Sequence, residues 1–160
     1  MTDDLITAAT LIGAVGCGLV GGLMFAFSTS VMPALGRRPA PQGIAAMQAM
    51  NSTILNPVFG LVFGGTAIVC AALAVSAPFT TDQPGAGWRA LGALLYLIGT
   101  FGVTMVVNVP MNDALDAADP TSAEGARLWH RYLGRWTAWN HLRTVAATAA
   151  ATSLAFALHG

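Results

Sequence analysis

Four apolar stretches, each long enough to cross a bilayer, take up most of this 160-residue chain: 5–31, 54–77, 90–109 and 136–158. At a rise of 1.5 Å per residue, about 20 helical residues match a hydrocarbon core of ~30 Å. The first three stretches hold no Asp, Glu, Lys or Arg, and the fourth holds only Arg143. A helix on the surface of a soluble protein needs a polar face, and these segments cannot supply one. The expected architecture is therefore all-α: a single domain over 1–160, built as an integral membrane four-helix bundle.

Composition agrees, with 55% hydrophobic and 9% charged residues against roughly 25% charged in a typical soluble domain. A formal net charge of zero speaks against nucleic acid as a partner and leaves the lipid bilayer as the expected one. Cys17 and Cys70 both fall mid-segment and read as small packing residues, not as a disulfide or thiolate site. The opening Met1-Thr2-Asp3-Asp4 is acidic where a secretory signal is basic, so the first stretch reads as a retained helix. Arg37 and Arg38 lie between the first two stretches, and Arg127, Arg131 and Arg135 lie between the last two. The opposite face offers only Arg89. The positive-inside rule then places loops 32–53 and 110–135 in the cytoplasm and both termini outside, across a bacterial plasma membrane.

Local signals divide the chain further. Ala14, Gly18 and Gly22 form a small-xxx-small register that suits close packing within the bundle, or alternatively a homo-oligomer face. Pro33 is expected to stop the first helix, and Asn108-Val109-Pro110 to end the third. A short interfacial helix is expected over 43–50. Thr121-Ser122-Ala123-Glu124 fits a capping box, and the helix it opens can run to Leu158. That is longer than the membrane is thick, so helix 4 extends into the cytoplasmic interface. Arg127, Arg131 and Arg135 recur every four residues there as a cationic face for anionic headgroups. Trp129, Leu133 and Trp136 point inward.

Nearly all the polar residues of the apolar stretches and their flanks gather at one end. They are Ser28, Gln48, Asn51, Asn56, Thr104, Asn108, Asn112, Asn140, His141 and Arg143, with Trp129, Tyr132, Trp136 and Trp139 around them. Trp136, Asn140 and Arg143 stand at i, i+4 and i+7 and so share a helix face. An Arg near the hydrocarbon centre costs roughly 2.5–3.5 kcal/mol on insertion scales, and the amides of Asn51, Asn56, Asn108 and Asn112 are the natural partners. Two readings follow. The cluster either fixes helix register by hydrogen bonding, or lines a pocket at the inner leaflet for an aromatic small molecule. His130 and His141 lie eleven residues, ~16 Å, apart along a helix and cannot share a metal whose ligand bonds are near 2.0–2.1 Å. No G-x-G-x-x-G lies between a strand and a helix and no P-loop occurs, and the glycines of the first helix read as packing, not phosphate binding. No cofactor or metal is expected, with a single-histidine haem site at His141 as the alternative.

The run Gly22-Leu23-Met24-Phe25-Ala26-Phe27-Ser28 is followed in order by Val31-Met32-Pro33-Ala34-Leu35 and Met47-Gln48-x-x-Asn51. Next come Asn56-Pro57-x-Phe59, Asn108-x-Pro110-x-Asn112 and Trp136-x-x-Trp139-Asn140-His141-x-Arg143-Thr144. Together these resemble the anthrone oxygenase family of small four-helix membrane proteins. The resemblance implies an oxygenase that converts an anthrone to an anthraquinone with O₂ and no organic cofactor. A quinol-like molecule is a related substrate. On these residues, His141 is expected as the base, with Arg143 and Asn140 holding the oxyanion. Asn51, Asn108 and Asn112 would orient them, Asn56 and Gln48 would join these in binding the substrate, and Trp136 and Trp139 would stack on it. The competing reading is a non-catalytic membrane protein, a small-molecule binder or bundle subunit. A transporter is disfavoured, because polarity stops near mid-membrane and no repeat relates the halves.

Overall fold

The computed structural model describes residues 2–159 and, among them, is built from helices without a strand. Helix α1 runs Thr2–Ala26 and continues through a π-helical turn, Phe27–Val31, into Met32–Gly36. Helix α2 is Ala40–Ile54 and α3 is Pro57–Ser76. Helix α4 starts as Ala86–Leu94, passes through π-helical segments Leu95–Gly102 and Thr104–Asn108, and ends as Val109–Asp116. Helix α5 spans Ala123–Ala157. Met1, and with it the very start of the expected retained helix, lies outside the described residues, as does Gly160.

Helix α1 packs against α3 and α5, and α4 packs against the same two, so the four long helices form a ring. Helix α2 crosses beneath, against the far ends of α1, α4 and α5. Among the described residues, three helical rods are long and apolar enough to cross a membrane: Asp4–Gly36, Pro57–Phe79 and Ala86–Asp116. At 35 residues α5 is longer than any of them, but its lower half carries Glu124, Arg127, Arg131 and Arg135, Asn140, His141 and Arg143 stand at its middle, and the rest is mostly Ala and Thr. The apolar rods turn Leu61, Ile68, Ile98 and Val106 outward, a large unbroken apolar surface of the kind that meets lipid.

Neither proline ends its helix. Pro33 and Pro110 each follow directly on a π-helical segment and take the second position of the α-helical piece after it. Proline lacks the amide that would bond four residues back and its ring crowds that carbonyl. The wider π turn supplies the register shift that lets the chain continue. The third rod therefore reaches Asp116 instead of stopping near Val109.

Two cores result. The upper one joins Cys17, Met24, Phe63, Cys70, Tyr96 and Leu154, with both cysteines free and fully buried. Tyr96 donates its hydroxyl to the Phe63 carbonyl at 2.9 Å, which ties α4 to α3. The lower core holds Met32, Ile44, Met47, Leu115, Trp129 and Tyr132. The close approaches fall at other glycines than the expected pair. Gly18 and Gly22 face outward, with nothing within 4 Å of where a side-chain methyl would stand, whereas Gly16 lies against Thr66 and Gly99 against Ala146. At Gly43 an added Cβ would sit 2.7 Å from Trp129 Cζ2. Trp129 is fully enclosed, so Gly43→Ala should displace α2 and lower stability by about 1–3 kcal/mol, measured as a drop in thermal midpoint in detergent with a changed tryptophan emission.

The start of α5 differs by one residue from the expected box. Ser122 is the N-cap, accepting from the Gly125 amide at 2.9 Å. Thr121 instead donates its amide and hydroxyl to Asp119, each at 2.8 Å, which holds that carboxyl below its usual range. Arg127, Arg131 and Arg135 are exposed, while Trp129 and Trp136 are buried and Leu133 half-buried.

Candidate functional site

At the α2 end the bundle encloses a cavity of about 170 Å³, open on one side. Every helix contributes to its wall. Helix α1 supplies Met24 and Phe27, α2 supplies Met47 and Asn51, α4 supplies Thr104 and Asn112, and α5 supplies Trp136, Asn140 and Arg143. Of the residues expected from sequence, Asn51, Asn112, Trp136, Asn140 and Arg143 are brought together here.

Arg143 is the centre of the arrangement and only 5% exposed. Its Nη1 donates to Thr104 Oγ1 at 3.1 Å and its Nη2 to Asn140 Oδ1 at 2.5 Å. The guanidinium carbon sits 5.2 Å from the centre of the Trp136 ring, a cation–π contact. All these partners are neutral, and no carboxylate among the described residues pairs with Arg143. Its Nε is buried without a hydrogen-bond partner among those residues, as are both amide atoms of Asn108. A guanidinium cannot shed its proton in a protein, so Arg143 keeps a fixed positive charge without a salt bridge and with its Nε donor unused.

Asn140 is fully enclosed and holds the charge in place. Its amide donates to the Met24 carbonyl and to Ser28 Oγ, both at 2.7 Å, while its oxygen faces Arg143. Ser28 lies in the π turn of α1, so that turn and α5 are locked together. Trp136 is fixed in turn, since its Nε1 and the Tyr132 hydroxyl both donate to Asn112 Oδ1 at 2.8 Å. Burial, reinforced by the charge of Asp116, pushes the Tyr132 phenol up, so it stays a donor at neutral pH.

Other expected site residues do not line the cavity. His141 is exposed and lies in a shallow surface depression with Pro33, Gly36 and Leu133. It follows Asn140 directly, and one step along a helix turns a side chain by about 100°, which carries the imidazole away from Arg143. Trp139, 37% exposed, also leaves the site. Gln48 serves the fold by donating to the Leu115 and Ala118 carbonyls at 2.9 and 3.0 Å, closing the C-terminal end of α4. Asn56 is the N-cap of α3, accepting from the Phe59 amide at 3.0 Å. Asn108 is buried in the second π segment, behind the wall.

Two carboxylates not expected at the site also line it, Asp113 and Asp116. Asn51 Nδ2 donates to Asp116 Oδ1 at 2.9 Å, tying α2 to the end of α4. The signal was present: Thr100, Thr104, Asn108, Asn112 and Asp116 recur every four residues. The stripe continues past Pro110 because the helix does. Among the described residues no three His, Cys, Asp or Glu side chains converge as a metal site would need.

A model of the anthrone oxygenase family matches residues 56–153, more than half of the chain and inclusive of Asn112, Trp136, Asn140 and Arg143. No curated protein and no solved structure matches the chain.

Proposed function

This chain belongs to the anthrone oxygenase family, and from that premise we propose a membrane-embedded oxidoreductase that uses O₂ on an electron-rich hydroxyaromatic, an anthrone or a quinol, in the cavity around Arg143. All four long helices cross the bilayer in this reading, with α5 as the fourth. Its buried polar side chains face the bundle and not lipid. The arginine count puts the α2 end in the cytoplasm of a bacterial cell and both termini outside. The observation that carries the proposal is the buried guanidinium with neutral partners and an unused Nε donor.

The chemistry needs a proton acceptor, a counter-charge for the anion that forms, and a dry aromatic wall. An anthrone loses a C–H proton to give an enolate, and Arg143 stabilises its oxygen. The enolate passes one electron to O₂, and the resulting carbon radical and superoxide combine. The peroxide then loses water, leaving the ketone, so one O₂ is consumed and one water released per anthrone. Trp136 faces the ring. Asp116, oriented by Asn51, is the proton acceptor in place of His141. No cofactor is required in this scheme. A haem held by His141 would have to sit on the outer side of α5, away from Arg143.

The test is oxygen uptake by the purified protein in lipid vesicles with an anthrone or a hydroquinone. Asp116→Asn should lower the rate about 100-fold or more, the low end of what a lost general base costs, whereas His141→Ala should retain it within about twofold. Full loss in the His141 variant with activity kept in the Asp116 variant reverses the assignment. The competing, register-only reading draws on Gln48 and Asn56, whose bonds stay within the protein, and it predicts no uptake with any substrate.

A further inference from the structure

The cavity is amphipathic, and its lining reaches the apolar surface of the bundle at Leu55. Helix α3 begins only at Pro57, while α1 and α4 continue past that level to Gly36 and Asp116. Helix α2 closes the floor but leaves a gap beneath the start of α3. The apolar lining near the start of α3 is Ile54, Leu55 and Phe59, with Leu23 and Val109 from α1 and α4. Leu55 is 82% exposed, and Val58 and Leu61 continue the same apolar surface along α3. The polar groups lie inward, at Asn112, Asn140 and Arg143, and below, where Asp113 and Asp116 form the rim nearest the charged end. Those carboxylates repel an anion approaching from water, yet the innermost group is a cation. A neutral molecule dissolved in lipid meets neither obstacle.

Size narrows the occupant. An apolar cavity of roughly 150 Å³ takes one benzene, and this one is about 170 Å³. A single ring fits inside, and anything attached to it must leave through the gap. We infer that the ligand is a lipid-dissolved phenol or hydroquinone with one ring and an apolar tail. It enters sideways from the bilayer beneath α3, with its ring hydroxyl toward Arg143 and its tail against Leu55 and Phe59. This rests on the oxidoreductase reading above and, of its two substrates, takes the quinol and not the tricyclic anthrone. Oxidation of such a hydroquinone balances without a new carbon–oxygen bond: two electrons and two protons pass to O₂, giving the quinone and hydrogen peroxide.

The probes are 1,4-benzoquinones with no tail and with a ten-carbon tail, titrated into phosphatidylcholine vesicles holding the full chain. Saturable quenching of tryptophan emission is read against quinone mole fraction in the membrane, a scale that removes simple partitioning. The tailed quinone should half-saturate at a mole fraction at least tenfold below the tailless one. Leu55→Arg, at a side chain that is 82% exposed, should remove that advantage. Trp136→Phe should abolish the saturable component. Equal half-saturation for both probes, no effect of Leu55→Arg, or tighter saturation by a tailless tricyclic quinone overturns the inference. Oxygen uptake separates the two claims. Saturable binding of the tailed probe with no uptake of O₂ by its hydroquinone sinks the oxidoreductase reading and leaves this inference standing. Equal uptake with tailless and tailed hydroquinones does the reverse.

Discussion

Replacing Arg143 with Met should lower oxygen uptake by at least about 100-fold while leaving the thermal midpoint unchanged or higher. The two halves of this expectation have one origin. Arg143 is 95% withdrawn from solvent, and its guanidinium meets Thr104, Asn140 and the Trp136 ring. A buried charge without an opposite charge is a net cost to folding, and an apolar side chain of similar volume often relieves it. In a bilayer the penalty is roughly 2.5–3.5 kcal/mol for a central Arg. Removing one well-aimed donor to a developing oxyanion typically costs about 10²–10³ in rate. Parallel measurement of oxygen consumption and thermal unfolding in the same vesicles decides the matter. A destabilised protein, with no activity to lose, would show that the guanidinium serves only helix register. Arg143→Lys should recover little, because an ammonium on a flexible stem cannot reproduce the planar fork that spans Thr104 and Asn140.

Asn140→Ala should be the most damaging single truncation for the fold, at about 3 kcal/mol. Asn140 is fully enclosed and makes three hydrogen bonds, to Met24, Ser28 and Arg143. Leaving buried polar groups without partners costs about 1–3 kcal/mol, more when one is charged, and here a carbonyl, a hydroxyl and a guanidinium all lose one. The loss should appear as a lower thermal midpoint together with loss of activity. The double variant Asn140→Ala/Arg143→Met should recover part of the stability, since it deletes the charge that Asn140 had been satisfying. Strict additivity of the two changes would show that they do not interact.

Much of this architecture was legible in the chain. The apolar stretches mark the long helices, and the i, i+4, i+7 spacing of Trp136, Asn140 and Arg143 places them on one buried face. What misled was punctuation. Pro33 and Pro110 read as stops, because a proline inside an α-helix removes a bond and clashes. A π turn before each one absorbs the conflict, and nothing in a linear pattern announces a π turn. Ending the third helix at Val109 hid the carboxylates, since Asp116 belongs to the polar stripe only if the helix continues. His141 illustrates a different limit. Its chemistry suits a base, yet adjacent residues on a helix point about 100° apart, so Asn140 and His141 cannot both face the cavity. Gln48 and Asn56 show that a buried or flanking amide often serves carbonyls and caps. Gly18 and Gly22 show that small residues at four-residue spacing need not mark the contact between helices.

The pair of widened turns also decides where the chain can lose a residue. Deleting one residue within Thr104–Asn108 would let that stretch close into an ordinary α-helix with the pieces on either side nearly unmoved, because a π turn holds one residue more than an α turn over about the same rise. Asn112 and Asp116 would keep their places, and the cost would fall on Pro110, left inside an unbroken α-helix. The same deletion within Val109–Asp116 would instead rotate everything beyond it by about 100° and draw it up by about 1.5 Å, dismantling the lower wall while the greasy exterior stayed intact. Gaps between kindred sequences at the two π segments should therefore go together with loss of the proline that follows.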